Sequence, residues 1–145
     1  MEYGTDERKG KVSVRTLLKM KRKGEKISAL TAYDALFASF LDEFIDIILV
    51  GDSVGMVMAG YETTIPVTMD QMILHTQYVR REVHHAMLVA DMPFMSYQVS
   101  PEEALKNAGR LLQEGGAEAV KLEGGVNVAE KVQRIVECGL SLIHI

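Results

Sequence analysis

The sequence has no tryptophan, one cysteine, three prolines and only 6% aromatic residues in a length of 145. A lone Cys138 excludes a disulfide scaffold. Pro66, Pro93 and Pro101 stand apart from one another, so no proline-rich linker divides the chain. Apolar runs such as Ile47-Ile48-Leu49-Val50 are far shorter than the ~20 residues that span a bilayer. Positive charge is also scarce, with 16 Lys and Arg against 20 Asp and Glu and a net charge of −4, which argues against nucleic acid as a partner. The acidic start, Met1 to Glu7, has no apolar stretch and is no secretory signal. A hydrophobic fraction of 48% excludes disorder. These absences point to a reduced, soluble, cytoplasmic protein of one domain, with neither membrane nor nucleic acid as a partner.

Strand-like runs alternate with amphipathic helical segments. After the basic stretch Lys9 to Lys11, Ser13 is expected to cap a helix carrying Val14, Leu17 and Leu18 and stopping near Gly24. A strand over Ile27–Ala32 leads into a helix over Asp34–Phe44, with Leu36, Phe37, Phe40 and Leu41 turned to the core. A second strand, Asp46–Val50, runs into Gly51-Asp52-Ser53 and a long connection in which no helix opens. Thr68 with Gln71, and Ser100 with Glu103, match the capping box, and Asn127 with Glu130 is a weaker version. Further strands are expected at Met87–Ala90 and Ala119–Leu122. A helix followed by four β-α units implies parallel strands with right-handed crossovers. That fits either a small open doubly wound sheet or half of an eight-fold barrel.

In parallel α/β folds, ligands bind at the carboxyl ends of the strands. Those positions hold Asp52 and Ser53 after the second strand, Asp91 after the third, and Lys121 and Glu123 at the end of the fourth. Two aspartates and a glutamate on neighbouring strand ends suit a hard divalent cation such as Mg²⁺. Singly, each residue has a plainer role: Asp52 or Asp91 could stabilise a turn, and Glu123 could pair with Lys121. It is their shared rim that favours a site. His75, His84 and His85 lie off the strand ends and read as structural or solvated, and Cys138 as a buried thiol.

Several ordered motifs resemble the ketopantoate hydroxymethyltransferase family. They are Ala29-Leu30-Thr31-Ala32-Tyr33-Asp34, Leu49-Val50-Gly51-Asp52-Ser53-Val54-Gly55, Ile65-Pro66-Val67-Thr68 and His75-Thr76. Ala90-Asp91-Met92-Pro93-Phe94-Met95-Ser96-Tyr97 and Val120-Lys121-Leu122-Glu123-Gly124-Gly125 belong with them. The resemblance implies a (β/α)₈ barrel of the phosphoenolpyruvate/pyruvate type, present here as an N-terminal helix and about four β-α units. It implies transfer of a hydroxymethyl group from 5,10-methylenetetrahydrofolate to 3-methyl-2-oxobutanoate, giving 2-dehydropantoate through a Mg²⁺-stabilised enolate. It assigns Asp52, Asp91 and Glu123 to the metal, and Asp52, Ser53, Asp91 and Lys121 to the keto acid. Full-length members are expected to form homo-oligomers, decamers in the family.

The resemblance puts the general base, a glutamate, in the second half of the barrel, so no residue here takes that role. The family pattern runs to Gly139, and Leu140–Ile145 is expected to be a non-native tail on a barrel half formed by residues 1–139. Two other readings fit the residues: an inactive fragment that binds Mg²⁺ and keto acid at most, and a Mg²⁺-dependent 2-oxo acid lyase of the same superfamily. A half barrel would leave the former interior face of its sheet bare.

Overall fold

The computed structural model describes residues 10–144; the acidic start, Lys9 and Ile145 lie outside the described residues. Five strands form one all-parallel sheet in sequential order: β1 (Ala29–Thr31), β2 (Ile47–Val50), β3 (Met87–Asp91), β4 (Ala119–Leu122) and β5 (Leu142–His144). Helices intervene as the alternation requires: α1 (Val14–Lys23), α2 (Ala35–Leu41), α3 (Val54–Val57), α4 (Met69–Arg80), α5 (Pro101–Gln113) and α6 (Ala129–Glu137). Among the described residues no helix is long and apolar enough to cross a membrane.

Local chemistry sets the helix starts. Ser13, Asp34, Thr68 and Ser100 each accept a backbone N–H in the first turn of the helix they precede. Thr68 and Gln71 close a full capping box. Ser100 accepts from Glu103 without a return bond, but Pro101 stands at the first helical position, where its missing N–H costs nothing. The expected cap at Asn127 is not formed: a short 3₁₀ turn, Val126–Val128, leads into α6, and no side chain caps it. α1 ends on Gly24, whose φ of 70° is the left-handed conformation glycine adopts without strain.

The strands present two faces. Ile48, Val50, Leu88, Ala90, Val120 and Leu122 are buried under the helices in the main core. Met87, Val89 and Ala119 face the other way, where Val12 and Leu17 partly cover the face expected to be bare. Residues two apart in a strand share a face, so Asp91 and Lys121 lie on this second side, at its carboxyl end.

Four expectations are corrected. Leu36, Phe37 and Phe40 are exposed rather than core-facing, because α2 turns its small Ala38 inward and packs Leu41 against the core. A single helical turn, α3, opens directly after Gly51-Asp52-Ser53, inside the connection read as loop. A fifth strand is present where alternation gave four, with Leu142 and Ile143 paired to Val120 and Lys121. Cys138 is exposed, not buried.

Candidate active site

The strand ends bring together most of the residues named from sequence. Asp91 is the last residue of β3, and β4 sets Lys121 directly beside it in register. Lys121 Nζ lies 2.9 Å from Asp91 Oδ1 and donates to Glu123 Oε1 at 2.8 Å. The lysine and aspartate are buried, whereas Glu123 is open to solvent with 67% of its side chain exposed. Asp91 Oδ2 accepts the backbone N–H of Asp52 at 3.1 Å, which ties the loop after β2 to the end of β3. Gly51 leaves room for the neighbouring Ser53 side chain, since a Cβ there would stand 2.7 Å from Ser53 Oγ.

Asp52, Asp91, Lys121 and Glu123 all line one cleft of about 170 Å³. Ser53 does not line it, but its hydroxyl is held at 2.8 Å by the Tyr33 hydroxyl. The Tyr97 hydroxyl donates to the Glu123 carbonyl at 3.1 Å from the opposite side. Neither tyrosine was singled out as functional from sequence, although both fall inside the recognised motifs. Their roles rest on contacts 20 and 26 residues away along the chain, which no local pattern encodes. His75 is structural, its Nδ1 lying 2.7 Å from the Tyr33 carbonyl. A larger cavity of about 320 Å³ lies at the amino ends of the strands, near Asp46 and His85. It mixes charges already paired, Lys11 with Glu118 at 2.7 Å and Lys23 with Glu25 at 3.4 Å.

Burial pushes the Asp91 carboxyl up to about 6, against the pull of Lys121 and of the Asp52 N–H. Burial also works against the charge on Lys121, but its hydrogen bond to Glu123 and its ion pair with Asp91 outweigh it and hold the ammonium above its ordinary value. Glu123 is held below the usual carboxylate range by its hydrogen bond to Lys121. Asp91 Oδ1 is a buried oxygen in ion-pair contact with Lys121, but the angle is not that of a hydrogen bond. One carboxylate oxygen thus remains short of partners in a site that disfavours its charge.

A raised carboxyl pKa means that the folded protein binds a proton there which the unfolded chain has released between pH ~4 and ~6. Stability from this group is therefore greatest at low pH and declines as pH rises through that window. The shift from 3.8 to about 6 corresponds to about 3 kcal/mol. Metal-free urea melts of the parent and Asp91→Asn, taken from pH 4 to 7, are expected to diverge by up to that amount in favour of the variant. A difference that does not change with pH would show that Asp91 titrates normally.

Among the described residues no three His, Cys, Asp or Glu side chains are grouped to hold a metal ion by themselves. The donor chemistry nonetheless fits Mg²⁺, which commonly takes one or two carboxylates and leaves its other positions to water and substrate. Asp52 and Asp91 are the pair on neighbouring strand ends, joined by a hydrogen bond.

A sequential parallel sheet with helices between its strands and an acidic, lysine-bearing cleft at its carboxyl edge defines a partial α/β barrel. Solved structures agree on the fold. A 2,3-dimethylmalate lyase of the PEP mutase/isocitrate lyase superfamily superposes with a TM-score of 0.66 at 13% identity, over 92% of this chain and 51% of that one. An oxaloacetate acetylhydrolase gives a TM-score of 0.60 at 12% identity, over 88% and 50%. Residues 11–145 match the family model of ketopantoate hydroxymethyltransferase, and the chain belongs to that family. A 3-methyl-2-oxobutanoate hydroxymethyltransferase of Thermoanaerobacter sp. (strain X514) is 59% identical over 134 residues, 92% of this chain and 49% of that protein. Its counterpart in Syntrophus aciditrophicus (strain SB) is 56% identical over the same shares. The one in Chlorobium phaeobacteroides (strain DSM 266 / SMG 266 / 2430) is 49% identical over 99% of this chain and 53% of its own length. The chain thus spans about half the length of the curated relatives it matches.

Proposed function

We propose that this chain carries the keto-acid half of a site that moves a hydroxymethyl group from 5,10-methylenetetrahydrofolate to 3-methyl-2-oxobutanoate, giving 2-dehydropantoate. The observation that carries this reading is the buried Asp91–Lys121 pair, extended to Glu123, in a cleft shared with Asp52. Lys121 is the cation that receives the substrate carboxylate. Its partner Glu123 is exposed and can be hydrated, so exchanging that partner for the incoming carboxylate leaves no charge buried alone. Ser53, whose hydroxyl is held by Tyr33 and does not line the cleft, would have to turn toward it to donate to the same carboxylate.

Asp52 and Asp91 would hold Mg²⁺, with Glu123 nearby on the same rim as the third carboxylate of the cleft. When bound, the ion supplies Lewis-acid polarisation of the 2-oxo group, which acidifies the C3 proton. Burial of Asp91 adds to the affinity, because a cation there offsets the desolvation that now raises its pKa. No residue of this chain is assigned as the base that takes the C3 proton.

Binding of 3-methyl-2-oxobutanoate, titrated in D₂O and followed by NMR, tests the reading. It is expected only in the presence of Mg²⁺, with C3 exchange read from the same samples against the metal-only background. Folded protein that binds no keto acid, or binds it equally with and without Mg²⁺, would refute the assignment.

A further inference from the structure

Ser53 stands at the N-cap of α3, where a serine ordinarily turns its hydroxyl on an N–H of the first turn. It makes no such bond. The turn is closed by backbone instead, with the N–H groups of Met56 and Val57 both donating to the Ser53 carbonyl, at 3.0 and 2.9 Å. The side chain is thus spared from helix building, and its hydroxyl shares a hydrogen bond of 2.8 Å with the Tyr33 hydroxyl.

Tyr33 is a fixed partner. It follows the end of β1 by two residues, and its side chain packs against the main core. Its carbonyl lies 2.7 Å from His75 Nδ1 on α4. On either side along the chain, Ala32 N–H donates to the Leu49 carbonyl at 3.1 Å and Asp34 accepts the Phe37 N–H at 2.8 Å. The serine hydroxyl, in contrast, changes direction by rotation about one bond between staggered settings.

Ser53 also borders the approach to the cleft. A Cβ on Gly51 would stand 2.7 Å from Ser53 Oγ and 3.4 Å from Asp91 Oδ2, and Asp91 lines the cleft. Glycine leaves that space open, so no side chain of residue 51 stands between the hydroxyl and the cleft carboxylate.

We infer that Tyr33 is a positioning residue that holds Ser53 in a resting direction until a ligand carboxylate in the cleft draws the hydroxyl away, an assignment that rests on the function proposed above. The exchange sets a bond between two neutral hydroxyls against one from a hydroxyl to a charged oxygen, and the charge-assisted bond is the stronger. The carboxylate therefore wins the hydroxyl. Its apparent affinity is lowered by the fraction of molecules in which Tyr33 still holds Ser53, since only the released fraction is ready to bind. Tyr33 acts only through Ser53 and touches no substrate atom in this scheme.

The test titrates 3-methyl-2-oxobutanoate with Mg²⁺ into the parent chain, Tyr33→Phe, Ser53→Ala and the double variant. Ser53→Ala is expected to weaken binding. Tyr33→Phe is expected to tighten it by about two- to tenfold, the net worth of one neutral hydrogen bond. In the double variant that gain is expected to vanish, because no hydroxyl remains to be released. A tyrosine that only supported the fold would weaken binding when truncated, so a gain of affinity separates the two roles. Affinity unchanged or lowered in Tyr33→Phe overturns the proposal, and so does a gain that persists without Ser53. Either result leaves the proposed reaction standing, because Mg²⁺-dependent binding by the parent reports on it separately. A parent chain that binds no keto acid removes the site and the role of Tyr33 together.

Discussion

Asp91→Asn is expected to weaken Mg²⁺-dependent keto-acid binding by about 100-fold or more, since even residues outside a metal's ligand set cost 10–100-fold when changed. The carboxylate stands where three demands meet: it receives Lys121, it receives the Asp52 N–H, and it is one of two aspartates available to a cation. Asparagine keeps the size and one acceptor oxygen, so the hydrogen bond to Asp52 can survive while the charge is lost. The same substitution removes a desolvated carboxylate and so gains stability relative to the parent as pH rises above ~4. Loss of binding together with that gain separates a chemical role from misfolding. Titration calorimetry of the keto acid with Mg²⁺ reads the first effect, and urea melts the second. Retained affinity in Asp91→Asn would move the metal assignment elsewhere.

Asp42→Ala is expected to cost the fold about 2–4 kcal/mol, at ~1–3 kcal/mol for the buried Ala86 donor left without an acceptor and less for the more exposed His84 and His85 donors. The Asp42 carboxylate, 6% exposed at the end of α2, gathers the backbone N–H groups of His84, His85 and Ala86 at 2.8 Å each. Those three residues lead into β3, so one side chain fixes where the strand bearing Asp91 enters the sheet. Asp42→Asn is expected to fall between parent and alanine, because an amide offers one acceptor oxygen instead of two. Urea denaturation measures both variants, and a cost under ~1 kcal/mol for alanine would show that water replaces the carboxylate.

The strand boundaries around the site were legible in the residues themselves. The third and fourth strands were expected at Met87–Ala90 and Ala119–Leu122, and they form at Met87–Asp91 and Ala119–Leu122. Each is a short apolar run ended by a charged residue and a turn signal. The caps at Ser13, Thr68 and Ser100 were equally plain, because a hydroxyl and an N–H three residues on are neighbours in any helix start. Asp52, Asp91, Lys121 and Glu123 could be placed at one edge because strand ends in a parallel sheet share a side.

What sequence could not supply lies in longer-range geometry. The face of α2 was misjudged because Ala35-Leu36-Phe37-Ala38-Ser39-Phe40-Leu41 is apolar almost all round, so periodicity selects no side. Nothing in the residues around Asp42 marks its role, because the N–H groups it accepts lie 42 to 44 residues later. Ser53 does not line the cleft, and its hydroxyl contact with Tyr33 is one that spacing does not reveal.

The amino-acid sequence by itself determined the order of helices and strands, the helix caps, the chemistry gathered at the strand ends and the family. These follow from neighbours within about a helical turn, from apolar alternation and from contiguous motifs. Tertiary structure alone decided that β3 and β4 pair in the register that joins Asp91 to Lys121. It also added the fifth strand and brought the Asp42 carboxylate onto the turn before β3. Registry and such contacts arise from surfaces that meet only after the chain has closed over tens of residues, and no local signal carries that information.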